Sequence, residues 1–172
     1  YLVRCSMANK KTDVREFALT VFATNVRLIA TGNELVAPLG LTSAWWQILA
    51  ALRYSPVPLP IASIARNMGL TRQAVQRIVD LLAYRELVEF RDNPHHRRAR
   101  LVVLTDAGIA AVTSADQAAA ALDAEIANRV GTARIGEMVR TLEAINTILA
   151  EWLDSATASP VPIRNRRKQM IS

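Results

Sequence analysis

The stretch Ile61-Ala62-Ser63-Ile64-Ala65-Arg66-Asn67-Met68-Gly69-Leu70-Thr71-Arg72-Gln73-Ala74-Val75-Gln76-Arg77-Ile78-Val79-Asp80-Leu81-Leu82 decides the fold. Pro60 before it fits the first turn of a helix over 60–68, where a proline sacrifices no helical hydrogen bond. Ile61, Ile64 and Ala65 give that helix an inward side. Gly69 suits the left-handed residue that closes a helix, and Thr71 suits the N-cap of the next one. A second helix is predicted over 72–85. Val75, Ile78, Val79 and Leu82 share one of its faces, and Gln73, Gln76, Arg77 and Asp80 share the other. Two helices joined by a tight glycine-containing turn make a helix-turn-helix.

Downstream, Leu87–Arg91 and Ala99–Leu104 read as two short strands, with Val88/Phe90 and Leu101/Val103 alternating with their neighbours. Between them lies Asp92-Asn93-Pro94-His95-His96-Arg97-Arg98, a turn-rich basic loop. Strands around such a loop, directly after a helix-turn-helix, make a wing. Thr105 or Asp106 then caps an alanine-rich helix over 106–130, which Gly131 and Thr132 break. The last helix spans 133–155. Its Ile135, Met138, Leu142, Ile145, Leu149 and Trp152 alternate steps of three and four, the seam of a helix that packs on a partner, and Val139 and Ile148 broaden it.

Upstream, a helix over 42–54 opens at Thr42 or Ser43 and is mostly buried through Trp45, Trp46, Ile48, Leu49 and Leu52. Pro56, Pro58 and Pro60 end it. Another long helix covers 13–37, with Val14, Phe17, Val21, Leu28 and Ile29 at helical spacing. Thr12 or Asp13 would cap it, Gly32 weakens it, and Pro38 and Gly40 stop it.

Composition excludes several classes. The 172 residues are 51% hydrophobic and 21% charged, too apolar for a disordered chain. No apolar run reaches the ~18 residues of a membrane span, so no membrane partner is expected. Residues 1–7 are too short for a signal peptide, and Met7 is a candidate natural start. One cysteine, Cys5, excludes an internal disulfide framework and a cysteine metal cluster, so the cytoplasm is the expected compartment.

The net charge of +6 is unevenly spread. Residues 53–100 carry nine Arg against four acids, residues 106–156 carry three Arg against eight acids, and the tail 157–172 carries four basic residues and no acid. A basic middle beside an acidic helical segment points to a face for a polyanion. The outward Gln73, Gln76 and Arg77 supply the side chains that pair bidentately with adenine and guanine in the major groove. Thr71 and Arg72 stand at the helix start, placed for phosphate or base. Arg97, Arg98 and Arg100 on the wing suit a narrow, negative minor groove. The adjacent His95 and His96 lack a third ligand group nearby, so no metal or other cofactor is expected. No nucleophile, base and orienter converge, and no glycine-rich phosphate loop occurs, so an enzyme is not expected.

The order of elements, with Gly40-Leu41-Thr42, Trp46-Gln47-Ile48-Leu49, Ile64-Ala65, Met68-Gly69-Leu70-Thr71 and Val75 through Leu82, resembles the MarR family of bacterial transcriptional regulators. The most specific stretch runs from Asp92 through Ala99 into Leu101-Val102-Val103-Leu104-Thr105-Asp106-Ala107-Gly108. The resemblance covers about residues 13–156. It implies a mainly α fold with a small two- to three-stranded β wing, a winged helix-turn-helix with long N- and C-terminal dimerisation helices. It places a helical dimerisation region at 13–37 and 106–156, the DNA-binding region at 42–104 and a basic flexible tail at 157–172. It implies a homodimer on pseudo-palindromic double-stranded DNA, a repressor rather than an activator, with Arg98 in the minor groove. Val14, Phe17, Ile135, Met138, Leu142, Ile145, Leu149 and Trp152 would face the partner. Two positions depart from the family pattern. His96 stands where a wing aspartate would brace the arginine, and Glu86 replaces the glycine usual after the recognition helix, which suggests a different turn into the wing.

Many such regulators release DNA on binding a small aromatic or phenolic ligand beneath the DNA-binding lobe. Asn25, Arg27, Trp45, Trp46 and Leu49 are the candidates here, against the simpler reading that the tryptophans are core. Some relatives sense peroxide through a cysteine. Cys5 is the sole candidate, with only Arg4 nearby to lower its pKa. The remaining alternative is a winged-helix module that binds protein, which a more apolar outer face would favour.

Overall fold

The computed structural model describes residues 10–94, 96 and 98–158. In chain order these form α1 (Lys10–Val36), a 3-10 turn (Ala37–Leu39), α2 (Ser43–Arg53), β1 (Leu59–Pro60), α3 (Ile61–Met68), α4 (Arg72–Tyr84), β2 (Val88–Arg91), β3 (Leu101–Leu104), α5 (Asp106–Val130) and α6 (Thr132–Ala158). The strands make one antiparallel sheet in the order β1-β3-β2, so the fold is the mainly helical winged arrangement expected. No single described helix is long and apolar enough to cross a membrane. The chain divides into two compact units, and the boundary between Ala121 and Leu122 falls inside α5.

Helix starts follow local chemistry. The hydroxyl of Thr42 accepts the Trp45 N–H and that of Thr71 accepts the Ala74 N–H, each capping its helix. α1 differs from expectation: it begins at Lys10, so neither Thr12 nor Asp13 precedes it, and Asp13 sits in its first turn. α1 also runs unbroken through Gly32. A Cβ there would lie 2.9 Å from the Ser43 hydroxyl, so the glycine admits α2 alongside α1. Pro60 is not in the first turn of α3 but caps it in an extended conformation, while pairing with Leu101 on the edge of the sheet. An edge strand tolerates the missing N–H.

Two ends share a six-residue hydrogen-bonding pattern. At α3, Leu70 N–H donates to Ala65 C=O and Gly69 N–H to Arg66 C=O, with Gly69 at φ +64°. At α4, Leu87 N–H donates to Leu82 C=O and Glu86 N–H to Ala83 C=O, with Glu86 at φ +58°. Glu86 therefore takes the left-handed turn that glycine favours, and the expectation of a different turn is corrected. The reason is that satisfying two orphan carbonyls at the helix end outweighs the roughly 1 kcal/mol that a Cβ adds in this conformation. Glu86→Gly should consequently raise stability by about 0.5–1 kcal/mol, or roughly 2 °C in the melting temperature. Glu86→Ala, which keeps the Cβ, should show no gain, and equal melting of all three chains would contradict this account.

The β3 reading also changes. Val88 pairs with Leu104 and Phe90 with Val102, so Val102 and Leu104 share the face of Val88, while Leu101 and Val103 take the opposite one. Val102 is fully buried. An unbroken Leu-Val-Val-Leu run carries no alternation to set its phase; the pairing register sets it. Val36, Leu41, Ile48, Leu49, Ile64, Val75, Val79, Leu82, Val88, Val102, Val112 and Ala115 belong to one buried cluster. The core beneath α4 thus draws on the end of α1 and the first half of α5.

Candidate nucleic-acid interface

α4 is held rigidly from beneath. Val75, Val79 and Leu82 are buried, and Ile78 is half-buried beside them. This orientation leaves Arg72, Gln73, Gln76, Arg77 and Asp80 exposed on the outer face. Arg72 and Gln73 stand in the first turn after the Thr71 cap. The positive end of the helix dipole lies there, which favours a phosphate. The Gln76 side-chain amide donates to the Asp80 carboxylate at 2.7 Å. Leu81 and Tyr84 continue the same surface, forming an open depression with Gln73, Gln76, Arg77 and Asp80. Tyr84 is 87% exposed. Sequence reading passed over both, although Tyr84 lies one helical turn beyond Asp80 on the Gln73 side.

The wing departs from its plain charge count. Arg98 and His96 are exposed on the loop. The loop folds on itself through His96 N–H to Asn93 C=O and Ala99 N–H to His96 C=O. These backbone bonds brace a turn that lacks an aspartate. Arg100 is turned back: its guanidinium donates to Phe90 C=O at 3.0 Å and lies 4.8 Å from the Phe90 ring centroid. Arg91 is paired with Glu89 at 2.6 Å. His95 and Arg97 lie outside the described residues, as do Cys5 and the tail from residue 159.

The ligand candidates separate. Leu49 is fully buried in the core. Trp45 is partly buried, with Arg85 5.1 Å from its ring centroid. Trp46 donates its indole N–H to Asp116 at 3.0 Å, and Tyr54 donates its hydroxyl to the other oxygen of Asp116 at 2.6 Å. That hydrogen bond, followed by the charge of Asp116, raises the Tyr54 hydroxyl above its ordinary pKa. The Asp116 junction ties α2 and its following loop to α5, across 70 and 62 residues of sequence. Asn25 and Arg27 are exposed on α1. Among the described residues, no group of three or more His, Cys, Asp or Glu side chains is placed to hold a metal ion.

α1 and α6 carry exposed apolar side chains. On α1, Val14, Phe17, Phe22 and Val26 are exposed. On α6, Met138, Leu142, Leu149 and Trp152 are exposed, Trp152 to 73%, while Ile135 and Ile145 are half-buried.

Comparison with known proteins agrees with this architecture. The family model described as MarR family matches residues 39–99. An uncharacterized protein of Mycobacterium tuberculosis, Rv2011c, is 32% identical over 123 residues, spanning 72% of this chain and 85% of its own length. Solved structures below 25% identity share the fold. A mutant MarR from Escherichia coli complexed with operator DNA has 20% identity and a TM-score of 0.66, covering 80% of this chain and 99% of that one. CouR from Rhodococcus jostii, bound to p-coumaroyl-CoA, has 19% identity and a TM-score of 0.66, covering 75% and 90%. CouR described as a transcriptional repressor on a 23-mer DNA duplex has 22% identity and a TM-score of 0.67, covering 82% and 99%. With this architecture, this family match and this relative, the chain belongs to the MarR family and has the winged-helix fold of its transcriptional regulators.

Proposed function

We propose that the chain is a cytoplasmic, homodimeric, sequence-specific DNA-binding regulator that acts as a repressor on a pseudo-palindromic operator. One observation carries this: a capped helix whose inner face buries Val75, Val79 and Leu82 presents Arg72, Gln73, Gln76 and Arg77 outward, beside a wing that exposes Arg98. In this reading α4 enters the major groove, and Thr71 and Arg72 meet the adjoining phosphates. Arg97 and Arg98 reach the minor groove. Arg100, exposed like Arg98, joins them at the minor groove and phosphates, with its guanidinium tied to Phe90. The region 42–104 binds DNA, and the helices of 13–37 and 106–156 join protomers through their exposed apolar residues. Repression is supported by the likeness to the DNA-bound repressor CouR.

Selection from a library of random DNA duplexes tests the reading. It should enrich an inverted repeat whose half-sites lie about one helical turn apart, roughly 10 base pairs. Binding should weaken steeply with added salt, as phosphate contacts require. Enrichment of no sequence would refute it. Arg98→Ala should weaken operator binding by about 1–3 kcal/mol at matched salt, measured by fluorescence anisotropy. Unchanged affinity would remove Arg98 from the interface.

Release by a small aromatic or phenolic ligand belongs to the same proposal. Its support is the pair of half-buried indoles on α2, with the CouR complex with p-coumaroyl-CoA as the related case. Asn25 and Arg27, exposed on α1, would supply the polar contacts, while Leu49, fully buried in the core, would act only by supporting α2 from within. A saturable change in tryptophan fluorescence with salicylate-like anions, accompanied by loss of bound DNA, checks this.

A further inference from the structure

We infer that Asp80 is a specificity-determining residue, which positions Gln76 so that its fixed carbonyl oxygen seeks a hydrogen-bond donor on a base edge. The inference rests on the reading that α4 occupies the major groove. Gln76 and Asp80 are one turn apart on the outer face of α4, both exposed, with the amide nitrogen 2.7 Å from a carboxylate oxygen. An ionised carboxylate only accepts hydrogen bonds, so the amide must offer its nitrogen to Asp80. The reversed amide would set two oxygens against each other at that distance. With one N–H held by Asp80, the Gln76 amide no longer turns over, and its carbonyl oxygen and second N–H are fixed in their outward directions.

In the major groove only adenine N6 and cytosine N4 donate, whereas guanine presents N7 and O6, and thymine O4, as acceptors. A base facing that carbonyl oxygen is thus favoured when it is adenine or cytosine and opposed when it is guanine or thymine. An unrestrained glutamine amide turns either edge outward and discriminates less. Asp80 is also the single acid on α4, set among Gln73, Gln76 and Arg77. Its charge opposes approach to phosphates of any sequence, so it trades general affinity for selectivity.

The test uses the duplex selected by the wild-type chain, remade with each of the four bases at every half-site position. Affinities are measured by anisotropy for wild type, Asp80→Asn, Asp80→Glu, Gln76→Ala and Gln76→Ala/Asp80→Asn. At one position per half-site, wild type should prefer adenine or cytosine over guanine or thymine by about tenfold. Asp80→Asn should reduce that preference to about threefold or less, while raising affinity for random duplex. Asp80→Glu, which keeps a carboxylate, should restore the preference. In the Gln76→Ala background, Asp80→Asn should change no base preference further. A purely structural role would move melting temperature without moving base preference at one position. Base preferences untouched by Asp80→Asn, or a responsive position that prefers guanine or thymine, would overturn the inference while leaving α4 as the reader. Failure of the wild type to select any sequence would overturn the reading on which it rests.

Discussion

Gly108→Ala should destabilise the chain by about 3 kcal/mol or more, although helix propensity alone predicts a gain of about 1 kcal/mol. Gly108 lies in the first turn of α5, where the chain crosses the end of α4. A Cβ there would sit 1.9 Å from the Leu87 carbonyl oxygen, 2.9 Å from the Leu87 carbonyl carbon and 3.2 Å from Leu104 Cδ2. The first contact is with backbone, which cannot swing aside. That backbone is also committed: Leu87 C=O accepts the Thr105 N–H at 3.2 Å, and Glu86 C=O accepts the Thr105 hydroxyl at 2.6 Å. The Thr105 oxygen in turn accepts the Gly108 N–H at 3.0 Å, capping α5. Relief of the clash therefore separates α5 from the α4–β2 turn and breaks these bonds, each worth about 1 kcal/mol. With total stability of about 5–15 kcal/mol, the melting temperature should fall by roughly 6–12 °C. Gly136→Ala supplies the contrast, because within its own chain a Cβ there meets only the end of the Arg140 side chain at 3.5 Å. A Gly108→Ala chain that melts at or above wild type would show that the close approach is not what fixes glycine there.

The same segment shows why parts of the architecture are legible in sequence and others are not. Helix ends rest on short-range chemistry, so Thr42, Thr71, Thr105, Gly40 and Gly69 can be read from their neighbours. The inward face of α4 follows from its period, as does the outward placement of Gln73, Gln76 and Arg77. What local pattern cannot carry is a partner far along the chain. Nothing near Trp46 or Tyr54 announces Asp116. The phase of β3 depends on its pairing with β2. Counting arginines places Arg98 and Arg100 together, and both are exposed, but only the fold shows that Arg100 is tied to Phe90. Glu86 carries a conformation that its residue type argues against, because the turn is set by the carbonyls it must satisfy.

Leu142→Asp should convert the proposed dimer into monomers at micromolar concentration and abolish operator binding together with it. Leu142 is the third residue of the α6 seam that runs from Ile135 to Trp152, and it is 38% exposed in the single chain. In the chain alone, an aspartate at that position stays in contact with water, so α6 should keep its helical signal. In a symmetric dimer two carboxylates would enter an apolar contact, each unpaired and costing several kcal/mol. Doubling by symmetry makes the shift in the dimerisation constant at least about a thousandfold. DNA affinity should follow, because a monomer engages one half-site and loses the effective concentration that links the two recognition helices. Light scattering on eluted protein should report half the mass, and anisotropy should show loss of specific binding at unchanged salt. Leu142→Met, close in volume and apolar, should leave both intact. A Leu142→Asp chain that scatters as a dimer and binds the operator with wild-type affinity would mean that protomers meet through another surface, with the apolar face of α1 the next to test.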